Sequence, residues 1–272
     1  MEQPDCGGSV PAGGSVCFVG AGPGDLELIT VKGLRLLEQA DVIVYAGSLI
    51  NADLLQFNPD AELIDSAPLC LDDIISLMVN RARAGRKVVR LHSGDPAFYG
   101  AIKEQIVRLR PAGIGICVVP GVSSLNAAAA ALASELTVPG VTQTVIVTRA
   151  AGRTPVPERE DLAALAAHGA TMAIFLSTGL AAQVQEKLMA HYRPETPVVV
   201  VHRASWPDQR VIRTTVSGLT GSIKNAGIDR TAIILVGEAL AQEGDESLLY
   251  ARGFSHGYRA GEAPVNPEQG ER

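Results

Sequence analysis

In the stretch Leu91-His92-Ser93-Gly94-Asp95-Pro96-Ala97-Phe98-Tyr99-Gly100 an apolar strand gives way to a helix. The run Lys87 to Leu91 before it reads as a buried strand, and Ile102, Ile106 and Leu109 after it recur at helical spacing between Ala101 and Arg110. The stretch is therefore a strand-to-helix loop. In open α/β sheets such loops hold ligands, because they lie at the carboxyl ends of the strands. Its contents suit that position. Ser93 and Gly94 let a ligand approach the backbone, Asp95 supplies a carboxylate, and Pro96 stiffens the turn.

Working outward, strands and helices alternate along nearly the whole chain. Strands are expected at Val16–Val19, Asp41–Tyr45, Glu62–Ala67, Ile114–Val119, Gln143–Arg149, Thr171–Leu176, Thr196–Arg203, Arg210–Val216 and Thr231–Val236. Helices are expected after Thr30, after Asp72 or Asp73 (each a candidate cap), through Leu132, over Glu158–His168, over Leu180–Tyr192 and over Leu219–Asn225. This alternation predicts an α/β fold. Thr137 to Thr142 breaks the pattern and divides it into two consecutive α/β domains. The expected layout is a disordered tail over 1–15, an N-terminal α/β domain over 16–138, a linker over 139–142, a C-terminal α/β domain over 143–250, and a polar tail over 251–272. An inter-domain cleft is then the natural ligand site.

Composition narrows the function. The 272 residues are 47% hydrophobic and carry a net charge of −6, which argues against a nucleic-acid or anionic-membrane surface. No apolar run approaches the ~20 residues of a membrane span. Met1 to Gly14 lacks the basic and apolar regions of a signal peptide. Cys6, Cys17, Cys70 and Cys117 are scattered, with no CxxC pair and no histidine at zinc spacing, so no metal site is expected. A reduced, cytoplasmic protein is the reading.

Gly20-Ala21-Gly22-Pro23-Gly24-Asp25 follows the first strand and fits two glycines of a dinucleotide fingerprint. The third position is Asp25, a carboxylate where a pyrophosphate would approach the helix. Tyr45 stands where an acidic residue would hold a ribose. A nicotinamide oxidoreductase is thus disfavoured, and no Walker A loop is present.

Together, Val19 to Asp25 with Leu28-Ile29-Thr30, Ser93 to Pro96 with Tyr99-Gly100, and Val119-Pro120-Gly121-Val122-Ser123-Ser124 resemble the tetrapyrrole (corrin/porphyrin) methylases. Met172 to Ser177, Arg203 to Gln209 and Thr231 to Gly237 extend the resemblance to most of the chain. Tyr45 to Ile50, Leu136 to Pro139 with Gln143-Thr144, and Ala204 to Gln209 are most similar to the branch that methylates precorrin-4 at C-11 in cobalamin synthesis.

The resemblance implies a bilobal fold, S-adenosyl-L-methionine as methyl donor, a tetrapyrrole substrate and a homodimer. By position it implies cofactor contacts from Ser93, Gly94, Asp95, Phe98, Ser123, Ser124, Leu176, Ala204, Thr231 and Ala232. The substrate side would draw on Gly22, Pro23, Asp25, Tyr45, Ser48, Arg149 and Arg203, the arginines because the substrate bears acetate and propionate carboxylates. Tyr45, Asp95 and His202 are the candidate bases by residue type. His202, at the end of a valine run, reads first as a core or strand-end histidine. Rival expectations are methylation of a protein or of ribosomal RNA by the same superfamily, and a non-catalytic adenosylmethionine binder.

Overall fold

The computed structural model describes residues 14–47, 49–241 and 247–261. Ser48, Cys6 and the outer parts of both expected tails lie outside the described residues. The chain divides into two compact units: one takes everything up to Ala133 with Val200–Ile212 and Gly227–Ile233, the other Ser134–Val199, Arg213–Ala226 and Ile234 onward.

The first unit is built on a parallel sheet of β1 (Ser15–Gly20), β2 (Val42–Tyr45), β3 (Glu62–Asp65), β4 (Val88–His92) and β5 (Gly115–Val119), in the order β3-β2-β4-β1-β5. Every pairing is parallel, so all the strands end at one edge. Both faces of a parallel sheet are covered, which is why these strands read as continuous apolar runs. Cys17, Val19, Val89 and Leu91 pack toward one side with Leu36 and Leu37 of α1 (Val31–Glu38). Val16, Phe18, Val42 and Val88 pack toward the other, with Met78 of α2 (Leu71–Arg83) and Leu109 of α3 (Ile102–Leu109). The Ala-rich α4 (Ser124–Ala131) follows β5 and is capped by the Ser123 hydroxyl, which accepts from Leu125 N at 3.3 Å.

The second sheet runs β6-β7-β10-β8-β9, from β6 (Val145–Arg149), β7 (Thr171–Phe175), β8 (Pro197–His202), β9 (Arg210–Thr215) and β10 (Ala232–Val236). It is mixed: β6 and β7 are parallel, β7 and β10 antiparallel. Helices α5 (Leu162–Ala166), α6 (Ala181–Met189) and α7 (Leu219–Ala226) accompany it.

Several expectations change. Helix α2 starts behind Cys70 with no side-chain cap, because Asp72 pairs with Arg108 and Asp73 accepts from the Cys70 thiol. The helix expected over 158–168 is a 3-10 turn at Glu158–Glu160 followed by α5, since the Asp161 side chain takes the Ala163 N–H and starts a new helix there. Arg81 and Arg86 both pair with Glu62. Cys17 and Cys70 are free thiols. Part of the expected polar tail, 251–261, is folded.

Two buried polar side chains sit on β4. Arg90, 6% exposed, donates to Val44 O at 3.2 Å, to Ser66 Oγ at 3.0 Å and to Gln105 Oε1 at 3.3 Å. His92 stacks on Phe18 with ring centroids 6.0 Å apart, and its buried Nε2 has no hydrogen-bond partner among the described residues. Burial, then the Arg90 charge, pushes the imidazole down to about 3. The unfolded chain takes up that proton near the ordinary histidine value while the folded chain resists it. The stability held by neutral His92 is therefore complete above about pH 6.5 and is lost as pH falls toward 3, by up to about 1.4 kcal/mol per pH unit. Urea unfolding at pH 6.5 and pH 5 is expected to show a larger loss in wild type than in His92→Gln. Equal losses would show that His92 does not set the slope.

Candidate active site

Three loops leave neighbouring strands β4, β1 and β5 and touch through glycine. A Cβ on Gly20 would lie 2.6 Å from Gly121 Cα and 2.7 Å from Gly94 O; one on Gly121 would lie 2.8 Å from Gly20 Cα. These are closer than any side chain tolerates, so the three backbones meet only because both residues are glycine. Gly22 and Gly94 form an isolated bridge, with Gly94 N donating to Gly22 O at 2.8 Å. Both have positive φ, +77° and +62°, which glycine adopts without strain.

Asp95 ties the loops together. One carboxylate oxygen accepts from Ala97 N at 2.7 Å, the other from Gly121 N at 2.9 Å. Beside it, a Gly94 Cβ would lie in ordinary contact, 3.8 Å from Ser123 Cα and Ser124 N. Ser93, Gly94, Asp95, Ser123 and Ser124 thus form one cradle at the amino end of α4. Ser93 is exposed and Ser123 is buried as the helix cap. Phe98, on the same loop, leaves 44% of its surface in solvent.

The Gly20–Asp25 loop is gripped from its other side by the β8–β9 connection. Trp206 Nε1 donates to Pro23 O at 2.8 Å, Asp25 N donates to Ser205 Oγ at 3.0 Å, and Asn51 Nδ2 donates to Gly24 O at 2.9 Å. The Trp206 indole lies where a Gly24 side chain would be. Gly22 and Pro23 are buried, and the Asp25 carboxylate caps the following 3-10 turn at Glu27 N. All three expected substrate-side residues therefore also have structural partners. Arg203 packs its guanidinium 4.1 Å over the Trp206 ring and pairs with Asp208 at 3.0 Å.

Backbone strain gathers at strand ends. Leu176 after β7, Arg203 after β8 and Thr231 before β10 have φ of +52°, +49° and +53°. Non-glycine residues seldom adopt this conformation, and where they do a functional site is a common reason. Arg203 N donates to Thr231 O at 2.8 Å, which brings Ala204, Thr231 and Ala232 onto the ends of adjacent strands. Leu176, in the second unit, is 70% exposed.

Of the candidate bases, Asp95 has both oxygens occupied by backbone N–H groups. Tyr45 is half-buried at the end of β2, its carbonyl held by Ser66. His202 is driven below its ordinary value by burial and then by Arg210, whose guanidinium lies 3.5 Å from its Nδ1. Arg149 spends its N–H groups on Ala150 O, Thr154 O and Pro155 O, bracing its own loop. Among the described residues no cluster of three or more acidic, cysteine or histidine side chains could hold a metal, and no helix is long and apolar enough to cross a membrane.

The family model for Tetrapyrrole (Corrin/Porphyrin) Methylases matches residues 15–220. The chain belongs to this family. It is 52% identical over 247 residues to a cobalt-precorrin-4 C(11)-methyltransferase of Methanocaldococcus jannaschii, covering 90% of this chain and 95% of the relative. It is 49% identical over 249 residues to a precorrin-4 C(11)-methyltransferase of Pseudomonas aeruginosa, covering 91% and 100%. The X-ray structure of the cobalt precorrin-4 methyltransferase CbiF superposes with a TM-score of 0.81 at 51% identity, over 83% of this chain and 95% of that one. A uroporphyrin-III C-methyl transferase from Thermus thermophilus, complexed with S-adenyl homocysteine, gives a TM-score of 0.72 at 28% identity, over 85% and 100%.

Sequence spacing alone does not disclose the contacts of Gly20, Gly121 and Trp206. Gly20 and Gly121 stand at the ends of apolar runs, and Trp206 is the only tryptophan of the chain, which are the signals that mark them. Gly121→Ala is expected to cost about 2–3 kcal/mol in urea unfolding, as overpacking does. Trp206→Phe keeps an aromatic ring but loses the bond to Pro23 O, and is expected to cost about 1 kcal/mol. A Gly121→Ala chain as stable as wild type would refute the close contact.

Proposed function

We propose that the chain is an S-adenosyl-L-methionine-dependent methyltransferase that methylates precorrin-4 at C-11 in cobalamin synthesis. The observation that carries this reading is identity near 50%, over almost the full length, to enzymes named for that reaction. Relatives named for the cobalt-bearing and the metal-free substrate match about equally well, so cobalt-precorrin-4 is the second reading.

The cradle fits the methyl donor. Adenosylmethionine supplies an already activated sulfonium methyl group, so in-line displacement needs position more than acid or metal, and position can contribute ~7–11 kcal/mol. In this reading Ser93, Gly94, Ser123 and Ser124 hold the donor through hydroxyls and backbone. Asp95 fixes the two loops rather than acting on the substrate. Phe98 is apolar surface for the donor to cover, and Ala204, Thr231 and Ala232 offer strand-end backbone to an adenine edge. Gly22, Pro23, Asp25, Tyr45 and Arg203 are assigned to the substrate in this reading. A proton must leave after methyl transfer, and His202 is the candidate acceptor in this reading. The assembly is read as a cytoplasmic homodimer.

Incubation with labelled adenosylmethionine and either precorrin-4 or cobalt-precorrin-4 is expected to give a product heavier by one methyl group, with the label at C-11 by NMR. No transfer to either substrate would end this reading. By calorimetry, Arg203→Ala is expected to weaken tetrapyrrole binding at least about tenfold while adenosylhomocysteine binding changes little, as loss of a charge-assisted contact predicts. Equal loss for both ligands would remove Arg203 from the substrate side.

A further inference from the structure

The first unit buries a cation that the functional reading leaves without a role. Arg90 lies in the middle of β4, between the buried Val89 and Leu91, where an aliphatic side chain would pack without the cost of desolvating a charge. Its hydrogen bonds go to three neutral acceptors, Val44 O, Ser66 Oγ and Gln105 Oε1. Asp65, the residue before Ser66, adds an attraction through its charge.

A guanidinium only donates, and this fixes how its two side-chain neighbours are turned. Gln105 must face Arg90 with its oxygen, so its amide NH2 points away and donates to Ala101 O at 3.2 Å. Ser66 must also offer its oxygen, so its one hydroxyl hydrogen goes to Tyr45 O at 2.8 Å. Gln105 and Ser66 are themselves buried. Two relays therefore leave a single buried charge. One ends on Tyr45, the last residue of β2, and the other on Ala101, where the β4 loop enters α3. The two strands are neighbours, with Tyr45 opposite Leu91, so their loops leave the sheet side by side.

Both relays end where the backbone needs holding. Tyr99 and Ala101 have φ of +56° and +50°, and a Cβ on Gly100 between them would lie 2.5 Å from Pro96 O. Non-glycine residues keep such angles where surrounding contacts over-determine them. This turn closes the loop that carries Ser93, Gly94 and Asp95. Beyond Tyr45, Gly47 N donates to Asp65 Oδ1 at 3.0 Å, and a Cβ on Gly47 would lie 2.5 Å from Asp65 Oδ2.

We propose that Arg90 is a positioning residue, a buried hub that sets the 93–101 loop through Gln105 and the Tyr45 loop through Ser66. The proposal rests on the functional reading above, which gives the first loop to adenosylmethionine and the second to the tetrapyrrole. Each relay then serves one ligand.

The test uses the full chain with Arg90 in place and one relay changed at a time. Gln105→Glu still offers Arg90 an oxygen, now charged, but cannot donate to Ala101 O. Ser66→Ala removes the hydroxyl and Ser66→Thr restores it. Gln105→Glu is expected to weaken adenosylhomocysteine binding at least about fivefold by calorimetry, with the tetrapyrrole KM at saturating donor unchanged and the melting temperature not lowered. Ser66→Ala is expected to raise that KM at least about fivefold with kcat and adenosylhomocysteine affinity unchanged, and Ser66→Thr to return it to the wild-type value. A lowered melting temperature with every affinity and KM unmoved would make the hub purely structural and overturn the proposal. Equal losses for both ligands, or an effect in only one relay, would overturn it as well. A wild-type protein that neither binds adenosylhomocysteine nor methylates precorrin-4 or cobalt-precorrin-4 would end the functional reading and the hub's role with it. A wild type that does both, beside variants with unchanged constants, overturns the hub alone.

Discussion

The first unit depends on the approach of three backbones at the carboxyl edge of its sheet. Gly20, Gly94 and Gly121 come so close that a single methyl group on Gly20 or Gly121 would collide with main-chain atoms. Such an approach buries peptide groups that must find partners, and Asp95 supplies them. Its two oxygens accept N–H groups from its own loop and from the β5–α4 loop. Hydrogen bonds to a charged acceptor contribute about 1.5–3 kcal/mol each, against about 1 for neutral ones. A serine or asparagine here would therefore hold the loops less firmly. Both carboxylate oxygens are thus committed to shaping the cradle.

A second constraint comes from a loop 183 residues away in sequence. Trp206 closes over the Gly20–Asp25 loop, and its indole N–H reaches Pro23 O. To present Trp206 and Ser205, the chain after β8 takes positive φ at Arg203 and again at Ser205. Left-handed conformations at non-glycine residues cost on the order of 1–3 kcal/mol each. Arg203 offsets part of that cost by stacking on Trp206 and pairing with Asp208. Strain held by surrounding contacts is pre-organisation: the strand-end backbone at Arg203 and Thr231 is fixed before any ligand arrives.

Much of this was legible because periodicity and loop composition are local. The strands, their order along the chain and the loops Ser93–Pro96 and Val119–Ser124 follow from apolar runs that end in Gly, Pro and Ser. What failed or stayed hidden is non-local. Asp72 and Asp73 look like caps until Arg108 and Cys70 take their oxygens. Gly20 and Gly121 look like ordinary turn glycines until the strand order β4-β1-β5 sets their loops side by side. Trp206 looks like a loop aromatic until its partner at Pro23 is known. The polar, Gly-containing segment 251–261 gave no periodic signal, since its order comes from Arg259 bonding irregular carbonyls. In each case the deciding energy lies between residues that sequence spacing does not relate.

An acidic chain that is to bind a polycarboxylate faces repulsion from its own surface, and how its cations are placed decides whether it succeeds. Most of those described above are already engaged. Arg81 and Arg86 serve Glu62, Arg108 serves Asp72, Arg193 serves Glu238, and Lys187 serves Asp161. Arg90 is buried among neutral partners, with burial bringing its guanidinium down to about 10 and leaving it charged. Arg149 braces carbonyls. A cation paired with a carboxylate presents little net field, so these groups attract no anion at a distance. Attraction is left to the cations that no carboxylate holds, so the ion pairs of an acidic chain decide where on its surface a polycarboxylate can be drawn in.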